Sequence, residues 1–394
     1  MLKTRTTEVR EMFCKLSMED VPLPRELTIE ILEKLPAKSL ARFMVTEKFW
    51  HNTITSKRFE EDYISLSEQR PKILFVATSK NESASMTHRK FRSILEKPVV
   101  CNPFTAVKQT LHATFNSELP YVFTPPVRDL LCFFHNKKSL VCNPCMGRFI
   151  PLPDVRRESY FHLGLANGEF KVLSLVKGVY NTVASVITLT QPQDGNNKWR
   201  AIDSGFNHKS FTHRGFCFRG VINYAATIDI GEHMDRPGIM CFDVERETFK
   251  FIDVPREIAF YTFFGFVRLV NFHDTLAVAV AEFNGKYDPL TIWHLEDDKW
   301  CKHIFQLPKT PTVVFEPDLL KFIGTSGATS ELVFAPTKFL GLDDIEHYVV
   351  YYDYVRGTLD KVRIEGDFHG FQGDIEPFLG YIESTALARE GVPC

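Results

Sequence analysis

The chain has 394 residues, of which 44% are hydrophobic and 24% charged, and its formal net charge is −2. Those proportions belong to a folded globular protein and exclude a disordered one. Without a concentrated basic surface, neither nucleic acid nor an anionic membrane is expected as the main partner.

The length implies two or more domains as a soft prior. Thirty-five Phe residues point to a β-rich body, since aromatic side chains favour pleated, half-buried surfaces. No signal core and no bilayer-length apolar run are found, so a cytoplasmic or nuclear location is expected. The nine cysteines are odd in number and scattered, which suits reduced thiols. Cys142 and Cys145 form the one CxxC pair. With no second pair at zinc-site spacing, it reads as a strand end entering a turn.

Residues 1–18 show no sustained periodicity and are expected to be a mobile arm. Organised sequence begins at Val21. Pro24 suits a first helical position and Glu26 favours the helix dipole. Leu27, Ile31, Leu32 and Leu35 fall on one helical face, and Ile29 lies nearly opposite, so two neighbours are expected to cover this helix. Pro36 ends it. A second helix is expected over 38–44, and a third from Thr46 with Phe49, Trp50 and Ile54 facing inward. Ser56 caps a fourth, which runs to Arg70-Pro71. So short a helical segment buries too little surface to be stable alone. It is either a cap on its own second domain or a module that docks on a partner.

The sequence from Leu23 to Leu27, LPREL, is followed by Glu30-Ile31-Leu32, by Leu35-Pro36-Ala37-Lys38-Ser39-Leu40-Ala41-Arg42-Phe43 and by Lys48-Phe49-Trp50. In that order the motifs resemble the F-box of the large plant family in which an F-box precedes an F-box-associated domain. Two departures stand out. Val45-Thr46-Glu47 occupies the place where the family usually has Cys-Val-Ser, and Phe49 stands where Leu is usual.

Beyond Pro71 the helical period gives way to short alternating runs. Segment 79–120 is left unassigned. Strands are then expected at 130–134, 139–142 and 148–153; at 161–165, 169–176, 185–190 and 199–202; and at 215–218, 221–225, 239–242 and 248–254. Further groups fall at 268–272, 276–282, 290–295 and 300–307, and at 320–323, 331–334, 348–354 and 359–364. The groups recur roughly every 50 to 57 residues, within the range of propeller blades. A hairpin recurs with them: a strand reaches Asn143, Asp243, His294 or Asp353, and six positions later Phe149, Phe249, Trp300 or Leu359 opens the next. Val100-Cys101-Asn102-Pro103 echoes Val141-Cys142-Asn143-Pro144 and marks a candidate earlier blade. An α+β multidomain chain is therefore expected, with a helical domain at 19–68 and an all-β body at 71–385. The body is read as a β-propeller of four-stranded blades, with a β-sandwich as the alternative.

The resemblance extends into this body. Pro126-Val127-Arg128-Asp129-Leu130-Leu131-Cys132-Phe133, Cys241-Phe242-Asp243-Val244 and Ile292-Trp293-His294-Leu295 look like landmarks of the F-box-associated domain, whereas its Gly-Tyr-Asp-Pro motif is reduced to Gly164-Leu165-Ala166-Asn167.

No HExxH, HxH, GxSxG or phosphate-loop pattern occurs. Glu296, Asp297 and Asp298 with Asp288 lack calcium-loop spacing and read as a solvated hairpin tip. Trp199, Trp293 and Trp300 are expected in the core. No catalytic, cofactor or metal residue is assigned. The resemblance implies a substrate-recognition subunit of a Skp–cullin–F-box (SCF) ubiquitin ligase, which docks on a Skp-type adaptor, and through it cullin, and holds an unidentified target protein on the β body. It places the adaptor surface at Leu23, Pro24, Leu27, Ile31, Leu35, Pro36, Leu40 and Trp50. Leu23, Pro24 and Pro36 are expected to face the partner, because turn prolines add little to a helical core. A propeller-fold enzyme (hydrolase or metal oxidase) and a ligase-independent adaptor are the alternatives.

Overall fold

The computed structural model describes residues 24–81, 86–96, 105–177, 183–189, 198–210, 212, 214–231, 235–263, 267–280, 289–310, 313, 319–327, 330–340, 346–366, 372–385 and 392–393. Four short helices come first: α1 (Arg25–Glu33), α2 (Ala37–Phe43), α3 (Lys48–Ile54) and α4 (Lys57–Glu68). Pro24 and Pro36 each sit at the cap before a helix rather than inside it, extended at ψ 139° and 142°. Ser56 caps α4 as expected, its hydroxyl accepting from the Phe59 N–H at 3.3 Å.

The helices share a core of Leu32, Ala37, Leu40, Met44, Ile54, Phe59 and Tyr63, with Ile29 and Leu35 packed against it. That core takes Leu32 and Leu35 from the expected face of α1 but adds Ile29 from the other side. Leu32 and Ile29 turn inward, whereas Leu27 is 47% exposed. Phe49, expected inside, is 44% exposed. Cys145 and Met146, from the β body, complete the same core, so the helices are packed on their own second domain.

The body is a propeller. Among the described residues there are six antiparallel sheets. The second to sixth blades coincide with the five expected groups, opening at Val122–Phe123, Ser159–Ala166, His208–Ser210, Val267–Phe272 and Leu320–Thr325. Six apolar clusters fill the six gaps between neighbouring blades. Each blade thus has both faces covered, which one sheet could not achieve alone. This rules out the sandwich.

The first blade was hidden in the sequence. Its strands Met86–Leu95 and Thr110–Ser117 lie in the unassigned region, Lys72–Asn81 just before it matches no expected strand, and its inner strand, Gln372–Tyr381, comes from the other end of the chain. Lys338–Leu340, an excursion from the sixth blade, pairs with that strand on its other side. Conversely Ala106–Lys108 joins the outer edge of the sixth blade in parallel with Thr358–Glu365. The ring is therefore latched twice, at its inner and its outer rim. The echo at 100–103 and the arm at 1–18 lie outside the described residues.

The recurring hairpin has a local cause. Asn143, Asp243 and Asp353 each end a strand, and the side-chain oxygen accepts from the N–H three residues on, at 3.2, 2.8 and 2.9 Å. Gly147, Glu247 and Gly357 then turn the chain at positive φ. The fifth blade departs from this pattern, with Asp297 and Asp298 at φ 46° and 59° in a tighter turn. Trp293 is buried as expected, whereas Trp199 and Trp300 lie at cluster margins and donate indole N–H bonds to the carbonyls of Pro153 and Asp253.

The closing strand buries Ile375, Phe378 and Tyr381. At about 1.5–3 kcal/mol for each large apolar side chain, their loss rivals the 5–15 kcal/mol of a whole domain. A chain ended after Glu365 should therefore lose its cooperative thermal transition and elute as aggregate, as circular dichroism and size-exclusion chromatography would read; a monomer melting like the full chain would contradict the closure.

Candidate interaction surfaces

The outer face of the helices is apolar and open. Pro24, Leu27, Pro36, Val45 and Phe49 are exposed there, and Ile31, Leu35 and Trp50 are half-buried. The Arg25 guanidinium lies 5.9 Å from the Phe49 ring centre, and Phe49 meets Trp50 edge-on at 5.0 Å, which joins the start of α1 to α3. Of the residues expected to meet an adaptor, Leu40 is fully buried and can act only through the core. Leu23 lies outside the described residues. Phe49 and Val45 were not in that set; the exposure of Phe49 depends on how α3 is rotated, which periodicity alone does not give, and Val45 lies in the turn before that helix.

Glu47 occupies the cap position of α3 in extended geometry, yet its side chain makes no capping bond. Serine there accepts from the first-turn N–H groups, and a good cap contributes about 1 kcal/mol. Glu47→Ser should therefore raise stability by about 1 kcal/mol in urea unfolding; no gain would show that the first turn of α3 is satisfied without a cap.

The inner face is fixed by a buried carboxylate. Glu383, just past the closing strand, accepts from the Ala37 N–H at 3.2 Å and the Tyr63 hydroxyl at 3.4 Å, and pairs with Lys72 at 2.5 Å. Cys145 donates its thiol to Asn143 Oδ1 at 2.9 Å and to the Ser384 carbonyl at 3.4 Å. Thus the CxxC pair does straddle a strand end and its turn, and the second thiol helps seat the helices. Lys38 adds a bond to the Leu111 carbonyl at 2.8 Å.

Burial pushes the Glu383 carboxyl up, but Lys72 leads the groups that hold it net below its usual range. His112, 3.8 Å away, is pushed down to about 4 by burial and is neutral at pH 7. The unfolded chain protonates a histidine near 6.5 while the folded chain does not, so stability is lost as pH falls from about 6.5 towards 4. Glu383 acts in the same direction lower down: its contribution is complete above 4.5 and lost below. Breaking a buried pair costs about 3–5 kcal/mol, and Lys72 keeps some contact with water, so Glu383→Gln should cost about 3 kcal/mol at pH 7. Urea melts at pH 7 and pH 5 read both effects, and a variant melting like the wild type at pH 7 would remove Glu383 from the junction.

A central channel of about 840 Å³ runs through the ring. Register fixes its direction. Lys72 pairs with Tyr381 at the helix end, and Thr78 pairs with Asp374 at the other, about 20 Å away at 3.3 Å per residue. Gly324 approaches both Leu379 and Val270, so the inner strands run alongside one another. Towards the remote mouth Glu376 pairs with Lys321 at 2.6 Å and with Arg268 at 3.3 Å. Burial raises the Glu376 carboxyl, but Arg268, Lys321 and Arg214 bring it net below its usual range. Burial, with Arg268 adding to it, drives Lys321 down to about 8 against the pull of Glu376. Nothing in the local sequence marks this group, because Glu376 and Arg268 are 108 positions apart.

Among the described residues, metal-capable atoms converge once, at His294, Glu296 and Cys301, within 4.8 Å of one another. The expected solvated hairpin tip supplies Glu296, and the cross-strand register brings Cys301 opposite His294. Asp288 lies outside the described residues. No helix among them is long and apolar enough to cross a membrane.

Comparison with known proteins matches residues 22–62 to the F-box domain and residues 67–379 to the F-box associated beta propeller domain. The chain belongs to the F-box family with an F-box-associated β-propeller. The F-box protein At3g61340 of Arabidopsis thaliana is 29% identical over 93% of each chain, and the F-box protein At5g65850 of the same plant is 27% identical over 94% of this chain and 91% of its own. A chain of a nidogen–laminin complex superposes with a TM-score of 0.41 at 10% identity, covering 79% of this chain and 98% of that one. In family terms α1 to α4 are the F-box, and the six blades are the associated domain.

Proposed function

We propose that the chain is the substrate-recognition subunit of an SCF ubiquitin ligase in the cytosol or nucleus, and that it performs no bond chemistry itself. Its F-box docks on a Skp-type adaptor, and its propeller holds a target protein for ubiquitination. The observation that carries this reading is the division of the F-box surface. One face is anchored to the propeller through Glu383, Cys145 and Met146, and the other exposes Pro24, Leu27 and Phe49. Contiguous exposed apolar surface marks an interaction site.

A receptor of this kind accelerates transfer by holding target lysines near a reactive thioester, which raises their effective concentration. That mechanism needs a fixed spacing between adaptor and target. Here the F-box is packed on the propeller at one end of the channel, and the remote mouth is left open to a target.

Because Leu27 and Phe49 are exposed, Leu27→Asp with Phe49→Ala should leave the melting temperature unchanged. Truncating buried interface anchors costs about 2 kcal/mol or more, roughly thirtyfold in affinity. Adaptor and cullin should therefore disappear from the co-purified complex, and the companion pair Leu23→Ala with Pro24→Ala should do the same. Retained adaptor binding by both pairs would count against this surface, whereas partners captured without any cullin would favour a ligase-independent adaptor.

A further inference from the structure

Among the described residues Arg89 is a buried cation with no paired anion. It lies on the strand Met86–Leu95 of the first blade, opposite Thr78, which in turn pairs with Asp374 at the mouth remote from the F-box. The residue is 4% exposed and lines the channel. One Nη2 hydrogen is donated to the Tyr121 carbonyl, and the guanidinium sits 5.7 Å from the Phe133 ring centre. Among the described residues its buried Nε and Nη1 have no partner.

Such an arrangement is costly. A buried charge that lacks its counter-ion costs several kcal/mol, and arginine keeps its proton rather than neutralise. Burial lowers its pKa only to about 10, so the charge persists at pH 7. The surroundings do not supply the missing anion. At this mouth Arg89, Arg214, Arg268 and Lys321 face two carboxylates, Asp374 and Glu376, and Glu376 is already committed to Arg268 and Lys321. Tyr121 lines the same wall, and Phe123 and Phe378 continue the aromatic surface along the channel towards the helix end.

We propose that this mouth of the channel docks an acidic segment of the target protein, with the free Arg89 donors receiving one of its anionic side chains and the aromatic wall holding an apolar neighbour. The proposal rests on the reading of the propeller as the target-binding unit. An anion-bearing ligand supplies the missing charge, and charge-assisted bonds in a water-poor site are among the strongest available to a peptide. A carboxylate and a phosphoryl group share the necessary chemistry. Lys321, flanked by Arg268, Arg214 and Glu376, adds a pH dependence: as it loses its proton above about 8, the mouth becomes less cationic and affinity falls.

The test is a fluorescence-anisotropy titration of the purified full chain, without adaptor, using three labelled nonapeptides. They carry alternating Leu with Glu, with Gln or with phosphoserine. The Glu peptide, the phosphoserine peptide or both should bind, with the Gln peptide at least tenfold weaker, and whichever acid binds tighter names the source of the anion. Arg89→Met should weaken acidic-peptide binding at least tenfold and leave the melting temperature of the free protein equal or higher, because an unpaired buried charge has been removed. Arg58→Met removes the same charge from α4, where the side chain is 95% exposed, and should bind like the wild type. Arg89→Lys, which keeps the charge but loses the guanidinium donors, should fall between the two and serves if the Met variant does not fold. Equal binding of the Gln peptide, undiminished binding by both Arg89 variants, or no binding of either acidic peptide would overturn the proposal. Because the adaptor is absent, such a failure leaves F-box docking untouched, and a failure of F-box docking leaves this result standing.

Discussion

A strand at the edge of a sheet must be paired, and in this molecule a single segment near the C-terminus satisfies that requirement for the whole ring. Gln372–Tyr381 inserts between Lys72–Asn81 and Lys338–Leu340, so the blade begun near residue 72 is completed some three hundred residues later. The same segment has two further consequences. Asp374 and Glu376 put carboxylates at the remote mouth of the channel, and immediately beyond the strand Glu383 reaches the F-box while Ser384 holds Cys145, which completes the F-box core. Closure, channel chemistry and domain docking are therefore coupled through about fourteen residues. None of the three can form before the chain has returned to its start, and long-range pairing of this kind is slow to nucleate.

Glu383 explains why the F-box is stable on so small a core. Ala37 opens α2 with an N–H that a helix cannot satisfy internally, and Glu383 accepts it. Cys145 and Met146 extend the apolar core from outside the helices. The helices thus use the propeller as part of their interior, and their folding energy does not depend on a partner at the other face. This refines the inference drawn from periodicity. Two apolar faces on α1 do mean two neighbours, but the face centred on Leu32 and Ile29 belongs to the chain itself, and Leu27 belongs to the free side.

What could be read in the sequence was what is local. The hairpins that end at Asn143, Asp243 and Asp353 depend on a side chain three residues from the N–H it captures, so spacing alone revealed them. Ser56 is a cap for the same reason. The first blade escaped notice because its strands are not contiguous and an inner member is at the far end of the chain. Phe49 was misplaced because a seven-residue helix has too few positions to fix its rotation from sequence. Arg89, Lys321 and Glu376 look like ordinary charges in ordinary strands; only the ring brings them to one channel. Order and motif identified the family, whereas burial and pairing across distant blades located the chemistry.

The two polar centres differ in a way that separates architecture from recognition. At Glu383 each charge has its counterpart: Lys72 is paired, the Ala37 N–H is satisfied and His112 is kept neutral. At Arg89 the balance is left open: among the described residues its buried Nε and Nη1 have no acceptor. Paired buried charges rigidify a junction, and an unpaired buried charge lowers the stability of the free protein. Retaining the second kind is consistent with a site whose missing partner arrives from outside, because folded proteins give up stability where a binding surface requires it. The molecule is thus charge-paired at the end that must hold its own helices and carries an unpaired buried charge towards the other end.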